Sequence, residues 1–197
     1  MEVAFLVSSQ TLRFGSKKSI KSIVGGQERM DVLSRCFLNL QRWKDKINAN
    51  LSLIIFLSHP DEQLAITIPH TLSQNIIENE ADSTRFLLNI LLEGQEPAIK
   101  IEKNSFEALL KSLTDNYRFY YLTPDGLDID EIENKVNERG MCFILGSQYD
   151  IMPNQEKTLL DFNIIPISLG KQNYLASHVI TIVCYKLCSF NSSSKNE

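Results

Sequence analysis

Short apolar runs alternate with polar segments of helical spacing along the C-terminal half of the chain. The apolar runs cover residues 118–122, 142–145 and 164–168, and Pro, Gly, Asp or Asn bounds each of them. Such runs are typical of buried parallel strands, whereas residues 128–138, 154–162 and 174–187 have the spacing of helices. Strands that alternate with helices predict an α/β fold, with a mostly parallel sheet and helices on both of its faces.

The N-terminal half predicts further strands and helices. Strands are expected at 3–7, 51–57, 64–68 and 99–101, and the second and third of them are expected to form a hairpin. Helices are expected at 29–46, at 83–92 with Asp82 as the cap, and at 105–113 with Ser105 as the cap. No internal repeat or linker divides the chain. We therefore predict one domain over residues 1–188 and a disordered tail, rich in Ser, Asn and Lys, over 189–197.

Composition narrows the class of protein. The 197 residues are 43% hydrophobic and 22% charged, as in ordinary soluble domains, and the net charge of −4 excludes polyanion binding by bulk electrostatics. Any contact with nucleic acid must then use a local basic patch. One such patch is a polar loop whose cations either follow an RNA backbone or form an ordinary solvated surface: Arg13, Lys17, Lys18 and Lys21.

Membrane and metal sites are not expected. No apolar run approaches the ~18 residues of a membrane span, and the first residues lack the basic region of a signal peptide, so a cytoplasmic protein is predicted. The four cysteines lie in or beside apolar runs without C-x-x-C spacing. We interpret Cys142 and Cys184 as reduced core thiols, not as zinc ligands or disulfide partners.

A cofactor cleft is predicted where three strands end. Two of the apolar runs end in glycine, at Gly146 and Gly170. Open α/β sheets bind ligands outside the carboxyl ends of their strands, and small residues there let backbone groups approach a flat ligand such as adenine. The chain has neither a Gly-x-Gly-x-x-Gly nor a Gly-Lys-Ser/Thr phosphate loop, so an ordinary nucleotide-binding domain is the weakest alternative.

Four sequence blocks, in matching order and spacing, resemble the SPOUT class of RNA methyltransferases. Within that class they are most similar to the archaeal tRNA pseudouridine-54 N1-methyltransferase family and its bacterial relatives. The blocks read RMDVLSRC at 29–36, FYYL at 119–122, FILG at 143–146, and ISLG at 167–170 followed by LASHVITIV at 175–183. Together they span nearly the whole chain.

The resemblance implies a C-terminal trefoil knot, which periodicity alone would never suggest because knots are almost absent from protein folds. It also implies a homodimer that binds S-adenosylmethionine (SAM) and acts on RNA, with tRNA as the expected substrate. The implied catalytic residues are Asp31, Arg29 and Arg35. The implied cofactor contacts, all near the knotted loops, are Leu122, Leu145, Gly146, Ser168, Leu169, Gly170, Leu175 and Val179.

The chain departs from the family in two places near the expected cofactor. The family's Gly-Asp-His loop is Gly146-Ser147-Gln148 here, and Val179 replaces a cysteine. These changes leave two hypotheses: an active pseudouridine methyltransferase, or an idle homologue that binds cofactor or RNA without methyl transfer.

Several side chains have a structural alternative to a catalytic role. Asp31, flanked by two arginines, should stay ionised and act as a hydrogen-bond acceptor, or simply cap its helix and pair with Arg35. Arg29 and Arg35 either hold phosphate or the target base, or are solvated helix charges. We interpret His178 as an interior, hydrogen-bonded histidine. Tyrosines 117, 120 and 121 are interpreted as strand-core residues in preference to base-stacking ones.

Overall fold

Seven strands form one mixed sheet in a computed structural model, which describes residues 1–14, 28–59, 62–72, 77–93, 97–135 and 139–193. The strand order is β4-β3-β2-β1-β6-β5-β7. The strands are β1 (Glu2–Ser9), β2 (Asn50–His59), β3 (Glu62–Ile68), β4 (Lys100–Lys103), β5 (Tyr117–Asp128), β6 (Gly140–Gly146) and β7 (Ile165–Ser168). The pairs β2–β1, β1–β6, β6–β5 and β5–β7 are parallel. The pairs β2–β3 and β3–β4, at one edge of the sheet, are antiparallel. The predicted single α/β domain with a mostly parallel sheet is confirmed, as is the β2–β3 hairpin.

Five α-helices cover the two faces of the sheet: α1 (Met30–Trp43), α2 (Glu80–Glu93), α3 (Phe106–Leu113), α4 (Pro153–Asp161) and α5 (Ala176–Ser193). One core cluster joins the sheet to α1, α2 and α5 through side chains such as Phe37, Leu87 and Ile180. A second cluster joins the opposite face to α3 and α4 through Phe106 and Leu159. Strand β1 contributes to both clusters and is buried from Val3 to Val7, because it lies in the middle of a sheet that is covered on both sides.

Three elements differ from the sequence predictions. Helix α2 begins earlier than predicted, and Asn79, not Asp82, caps it by accepting a hydrogen bond from the Asp82 amide at 3.0 Å. The segment predicted as a helix at 128–138 forms a 3-10 helix at Ile129–Lys135. Ile129 and Ile132 are both buried there, and their three-residue spacing suits the three-residue turn of a 3-10 helix.

The third difference is at the C-terminus, where α5 continues to Ser193, past the point at which a tail was expected. Residues 194–197 lie outside the described part of the chain.

The Ser105 cap of α3 is confirmed, because its hydroxyl oxygen accepts a hydrogen bond from the Ala108 amide at 3.1 Å. Within the described ranges, no helix has the length and apolar character needed to cross a bilayer.

A topological switch point lies between β1 and β6. The chain leaves β1 towards α1 on one face and β2 on one side, whereas it leaves β6 towards α4 on the other face and β7 on the other side. In α/β proteins of this kind, ligands bind beside such a switch point, at the carboxyl ends of the strands.

Candidate cofactor cleft and the adjoining charged cluster

The ends of β5, β6 and β7 meet in a cleft of about 360 Å³. This volume lies within the usual range of small-molecule sites, roughly 300–1,000 Å³. Three loops line it, at 122–124, 145–150 and 169–174, together with the first turns of α5. The prediction that three strand ends converge into a cleft is therefore confirmed.

Most of the predicted cofactor residues lie on the wall of this cleft: Leu122, Leu145, Gly146, Leu169, Gly170 and Val179. Ser168 and Leu175 do not. The Ser168 hydroxyl instead links two of the loops. It donates a hydrogen bond to the Pro124 carbonyl oxygen at 3.0 Å and accepts one from the Gly170 amide at 3.0 Å. Leu175 is 57% exposed, and its carbonyl oxygen accepts the first hydrogen bonds of α5.

An interruption in strand β5 shapes one wall of the cleft. Leu122 and Leu127 both pair with Ile167 of β7, so the intervening residues 123–126 loop out of the strand. Gly126 permits the close approach, since a Cβ there would lie 2.5 Å from the Ile167 backbone. This loop brings Thr123 and Pro124 to the cleft.

The loop after β6 is fixed to the end of β1 by three hydrogen bonds. The Ser147 amide donates to the Ser8 carbonyl at 2.9 Å, and the Gln10 side chain donates to the Asp150 carbonyl at 2.6 Å. The Met152 amide donates to the buried side chain of Gln155, which also bonds to Ser8. The loop turns so tightly that a Cβ on Gly146 would collide with the carbonyl oxygen of Tyr149.

Asp31 is the centre of a charged cluster at the start of α1. Arg29 Nε and Nη2 donate to its two oxygens at 2.9 and 3.0 Å, and Arg35 Nη2 donates to Oδ2 at 2.6 Å. Asp31 is buried, whereas both arginine side chains are 33% exposed. Arg29 occupies the N-cap position with φ 44° and ψ 46°, a left-handed conformation that few residues without the freedom of glycine adopt.

These contacts decide the protonation state of Asp31. Burial alone would raise the pKa of this carboxyl, but the hydrogen bonds and charges of Arg29 and Arg35 outweigh burial and lower it. The same hydrogen bond raises the pKa of the Arg29 guanidinium. Asp31 is thus a permanently charged acceptor that orients two guanidinium groups. The structural alternative for Asp31 was that it caps its helix and pairs with Arg35. The ion pair with Arg35 forms as predicted, but Arg29 occupies the N-cap position.

The cluster adjoins the cleft. The Glu28 carbonyl, directly before Arg29, accepts a hydrogen bond from the Thr11 hydroxyl at 3.0 Å. Gln10, the residue before Thr11, donates through its side chain to the carbonyl of Asp150 on the cleft wall at 2.6 Å. Helix α1 is also tied to the start of α5, because the Asn39 side chain donates to the Ser177 carbonyl at 2.8 Å. Arg29 and the cleft therefore belong to one site at the carboxyl edge of the sheet.

Other predicted residues have different outcomes. The prediction for His178 is wrong: it is exposed, because it lies on the outer side of α5. Tyr120 is a core residue as predicted, fully buried with its ring 5.5 Å from that of Phe143. Cys142 and Cys184 are buried free thiols, also as predicted.

Of the four loop cations, only Arg13 is among the described residues. No group of three His, Cys, Asp or Glu side chains suited to a metal occurs within the described ranges.

Several side chains of the cleft were not among the predicted site residues, and Gln148 and Tyr149 are two of them. Gln148 was noted only as a departure from a family motif, and Tyr149 was not considered at all. An aromatic residue directly after a Gly-Ser-Gln turn was the available signal. Its importance became visible only when the fold brought it to the cleft wall.

Comparison with known proteins adds the family context. The family model described as “Putative SAM-dependent RNA methyltransferase” matches residues 3–190. A tRNA (pseudouridine(54)-N(1))-methyltransferase of Methanocella arvoryzae is 29% identical over 186 residues, covering 85% of this chain and 88% of the relative. The corresponding protein of Methanococcus aeolicus is 28% identical over 181 residues, covering 84% and 87%.

Two solved structures share the fold. The chain is similar to Archaeoglobus fulgidus Nep1 bound to S-adenosylhomocysteine, with a TM-score of 0.65 and 11% identity over 98% of this chain and all of that one. It is also similar to the putative methyltransferase Lpg2936 of Legionella pneumophila in complex with SAM. That match has a TM-score of 0.51 and 12% identity, and covers 96% of this chain and 66% of the other.

Proposed function

Because the chain belongs to the SAM-dependent RNA methyltransferase family, we propose that it methylates N1 of a pseudouridine in a tRNA. The names of its curated relatives support this base and this RNA. The single observation that carries the proposal is the proximity of the Asp31 cluster to a cleft built from three strand ends. A cytoplasmic location would follow from a tRNA substrate.

The cleft suits the cofactor by its lining. Leu122, Leu169 and Val179 offer apolar walls for a flat purine, and the loops beside them present backbone N–H and C=O groups. Gly170 has open space where a side chain would begin, so backbone can approach a ligand there. Contacts of this kind survive changes of side chain, so Val179 in place of a cysteine is compatible with binding.

Bound SAM supplies an already activated methyl group, so the protein has mainly to align the acceptor nitrogen with it, at about 3–3.5 Å. The N1 nitrogen would gain the methyl group that the sulfonium sulfur loses, and its proton would pass to solvent water. Asp31 is a poor proton acceptor because its pKa is lowered. We assign it the task of holding Arg29, whose guanidinium then binds the RNA phosphate or the base through its planar donor fork.

Two finer features of the proposal concern the fold and the assembly. We propose that the chain from about residue 122 onward threads through a loop to form a trefoil knot, as the resemblance of its sequence blocks implies. We also propose a homodimer that uses the outer side of α5 and the residue before it, where Tyr185 and Leu175 are 61% and 57% exposed. Large exposed apolar side chains on one helix side favour an interface.

The assembly is tested by light scattering coupled to size-exclusion chromatography. Tyr185→Glu is expected to convert a dimer to a monomer, whereas Leu160→Glu on α4, at 76% exposure, serves as the matched control and should leave the mass unchanged. A wild-type protein of monomer mass would refute the dimer.

The activity is tested by calorimetry with SAM, followed by methyl transfer to tRNA and rRNA pools and mass mapping of the modified nucleoside. Val179→Trp should fill the cleft and abolish binding, whereas Leu160→Trp should not. N1-methylpseudouridine in the tRNA pool is the expected product. Tight cofactor binding with no transfer to either pool would instead support an idle homologue, the alternative that the altered Gly146-Ser147-Gln148 loop keeps open.

A further inference from the structure

The side chain of Gln148 carries a hydrogen-bond acceptor that is unpaired among the described residues. Its Oε1 atom is buried, yet no described residue donates a hydrogen bond to it. Gln148 as a residue is only half-buried and lies on the wall of the cleft, so rotation of its carboxamide brings the unused acceptor to a ligand there. Buried polar groups in proteins are nearly always paired, and an exception of this kind indicates a partner that arrives from outside.

The neighbouring residue, Tyr149, is an aromatic ring without a packing partner on its outer side. It is 54% exposed and lies on the same cleft wall. A second exposed tyrosine on the wall, Tyr174 at 39%, belongs to the loop before α5. Aromatic rings presented in this way are the usual stacking partners of unpaired RNA bases.

The backbone that carries both side chains is held firmly. It is hydrogen-bonded on either side of them, Ser147 to Ser8 of β1 and Asp150 to the side chain of Gln10. A site on so constrained a loop can select a ligand by geometry, because little ordering is needed when the ligand binds.

We propose that Gln148 and Tyr149 form the binding site for the target base and select a uracil-type ring. The Tyr149 ring stacks on the base, and the Gln148 carboxamide pairs with the imide, accepting from its N3–H and donating to an adjacent carbonyl. Uracil and pseudouridine both carry this imide, whereas cytosine presents an unprotonated N3 and a donating N4 amino group, which match only the reversed orientation of the Gln148 carboxamide. This assignment rests on the proposed function, since it supplies that function with its base specificity.

The pairing also agrees with the reaction. N1 of pseudouridine must remain free to meet the methyl group, so a selecting side chain has to use another edge of the ring. The imide edge at N3 lies away from N1 and meets this condition.

The experiment measures binding of RNA hairpins that differ at one loop position, which is pseudouridine, uridine or cytidine, in the presence of S-adenosylhomocysteine. Wild-type protein should prefer the pseudouridine and uridine hairpins by about 10-fold over cytidine. Gln148→Leu should abolish that preference, and any change in its affinity for S-adenosylhomocysteine should be smaller than the change in base preference. Gln41→Leu on α1 is the matched control and should keep the preference.

The stacking role is measured with a pair of variants. Tyr149→Ala should weaken binding of all three hairpins by about 10-fold to 100-fold, and Tyr149→Phe should restore it because the ring is kept. Wild-type affinity in Tyr149→Ala would overturn the stacking role. A preference that persists in Gln148→Leu, or an equal loss of cofactor affinity, would overturn the selecting role.

The outcomes separate this inference from the proposed function. Methyl transfer by the wild type together with unchanged behaviour of both variants would leave the function standing and overturn the base site. Absence of transfer to every RNA, with a base preference that Gln148→Leu abolishes, would refute the function and support the base site. Equal binding of the three hairpins by the wild type would overturn the inference whatever the activity.

Discussion

Replacing Asp31 with Asn tests whether the ion pairs of the charged cluster stabilise the folded protein. The substitution keeps the shape of the side chain but removes its charge and exchanges one acceptor oxygen for an NH2 group. That group would face a guanidinium donor, because both carboxylate oxygens accept hydrogen bonds from arginine. The variant therefore loses at least one charge-assisted hydrogen bond and places two donors in contact.

The expected loss of stability follows from the exposure of the partners. A hydrogen bond to a charged group contributes about 1.5–3 kcal/mol. Asp31 is buried but the arginine side chains are 33% exposed, so water can partly replace what they lose. We expect the free energy of unfolding to fall by about 2–4 kcal/mol. For a chain of this length that corresponds to a decrease in Tm of about 4–16 °C.

The pH dependence of this difference has a definite sign. Although burial alone would raise the pKa of Asp31, its arginine partners lower it overall, so the folded protein holds the charged form more strongly than the unfolded chain does. The stabilisation is then fully present above the unfolded pKa of about 3.9 and is lost as the pH falls through the folded value. The difference between wild type and Asp31→Asn should stay constant from about pH 5 to 8 and shrink below about pH 4.

Urea denaturation followed by circular dichroism measures these values. Asp82→Asn is the matched control, because it breaks an Asp–Arg pair at 3.1 Å whose side chains are 31% and 61% exposed. Such surface pairs contribute about 0–1 kcal/mol. An Asp31→Asn variant as stable as Asp82→Asn, or a difference that disappears near neutral pH, would refute this stabilising role of the ion pairs.

Three further outcomes are expected. Gly146→Ala should lower SAM affinity at least ~10-fold by calorimetry, because the new Cβ meets the Tyr149 carbonyl and forces the loop to move; unchanged affinity would contradict the tight turn. Arg29→Gly should lower the unfolding free energy by less than Asp31→Asn does in urea titrations, since relief of the left-handed backbone offsets part of the lost ion pairing, yet it should abolish methyl transfer. Iodoacetamide at pH 8 should label only half-buried Cys188 in the native protein by mass spectrometry, because burial raises the pKa of Cys36 and of Cys184 to about 12; rapid labelling of either buried thiol would be inconsistent with the packed core.

The sequence was most informative where burial alone decides the structure. Strand β1 is apolar on both faces and was predicted correctly, because a central strand of a covered sheet needs no alternation. The cap of α2 was misassigned, since Asn79 and Asp82 are both good cap residues and spacing alone cannot rank them. The 3-10 helix was also misassigned, because two isoleucines three residues apart suit the first turn of either helix type.

Prediction of the site succeeded for backbone positions and failed for long side chains. Gly146 and Gly170 were identified because strand ends are visible in the apolar pattern. The proximity of Arg29 to the loop that carries Tyr149 was not identified, because a sequence separation of 120 residues is closed by the β1–β6 pairing. His178 shows the converse error: its apolar sequence neighbours suggested the interior, but its position on α5 points outward.

The cleft and the side chains of the loop after β6 depend on different parts of the structure. This separation explains how a chain can depart from a family motif and keep the family's chemistry. Three strand ends build the cofactor cleft from backbone and aliphatic walls, so it tolerates replacement of a cysteine by Val179. The loop after β6 is fixed by its own backbone, through Ser147 and Asp150, and its side chains are therefore free to change without loss of the cleft. Variation at Gln148 should then alter which base is accepted before it alters cofactor binding, which makes this loop the place where relatives of this fold would diverge in substrate.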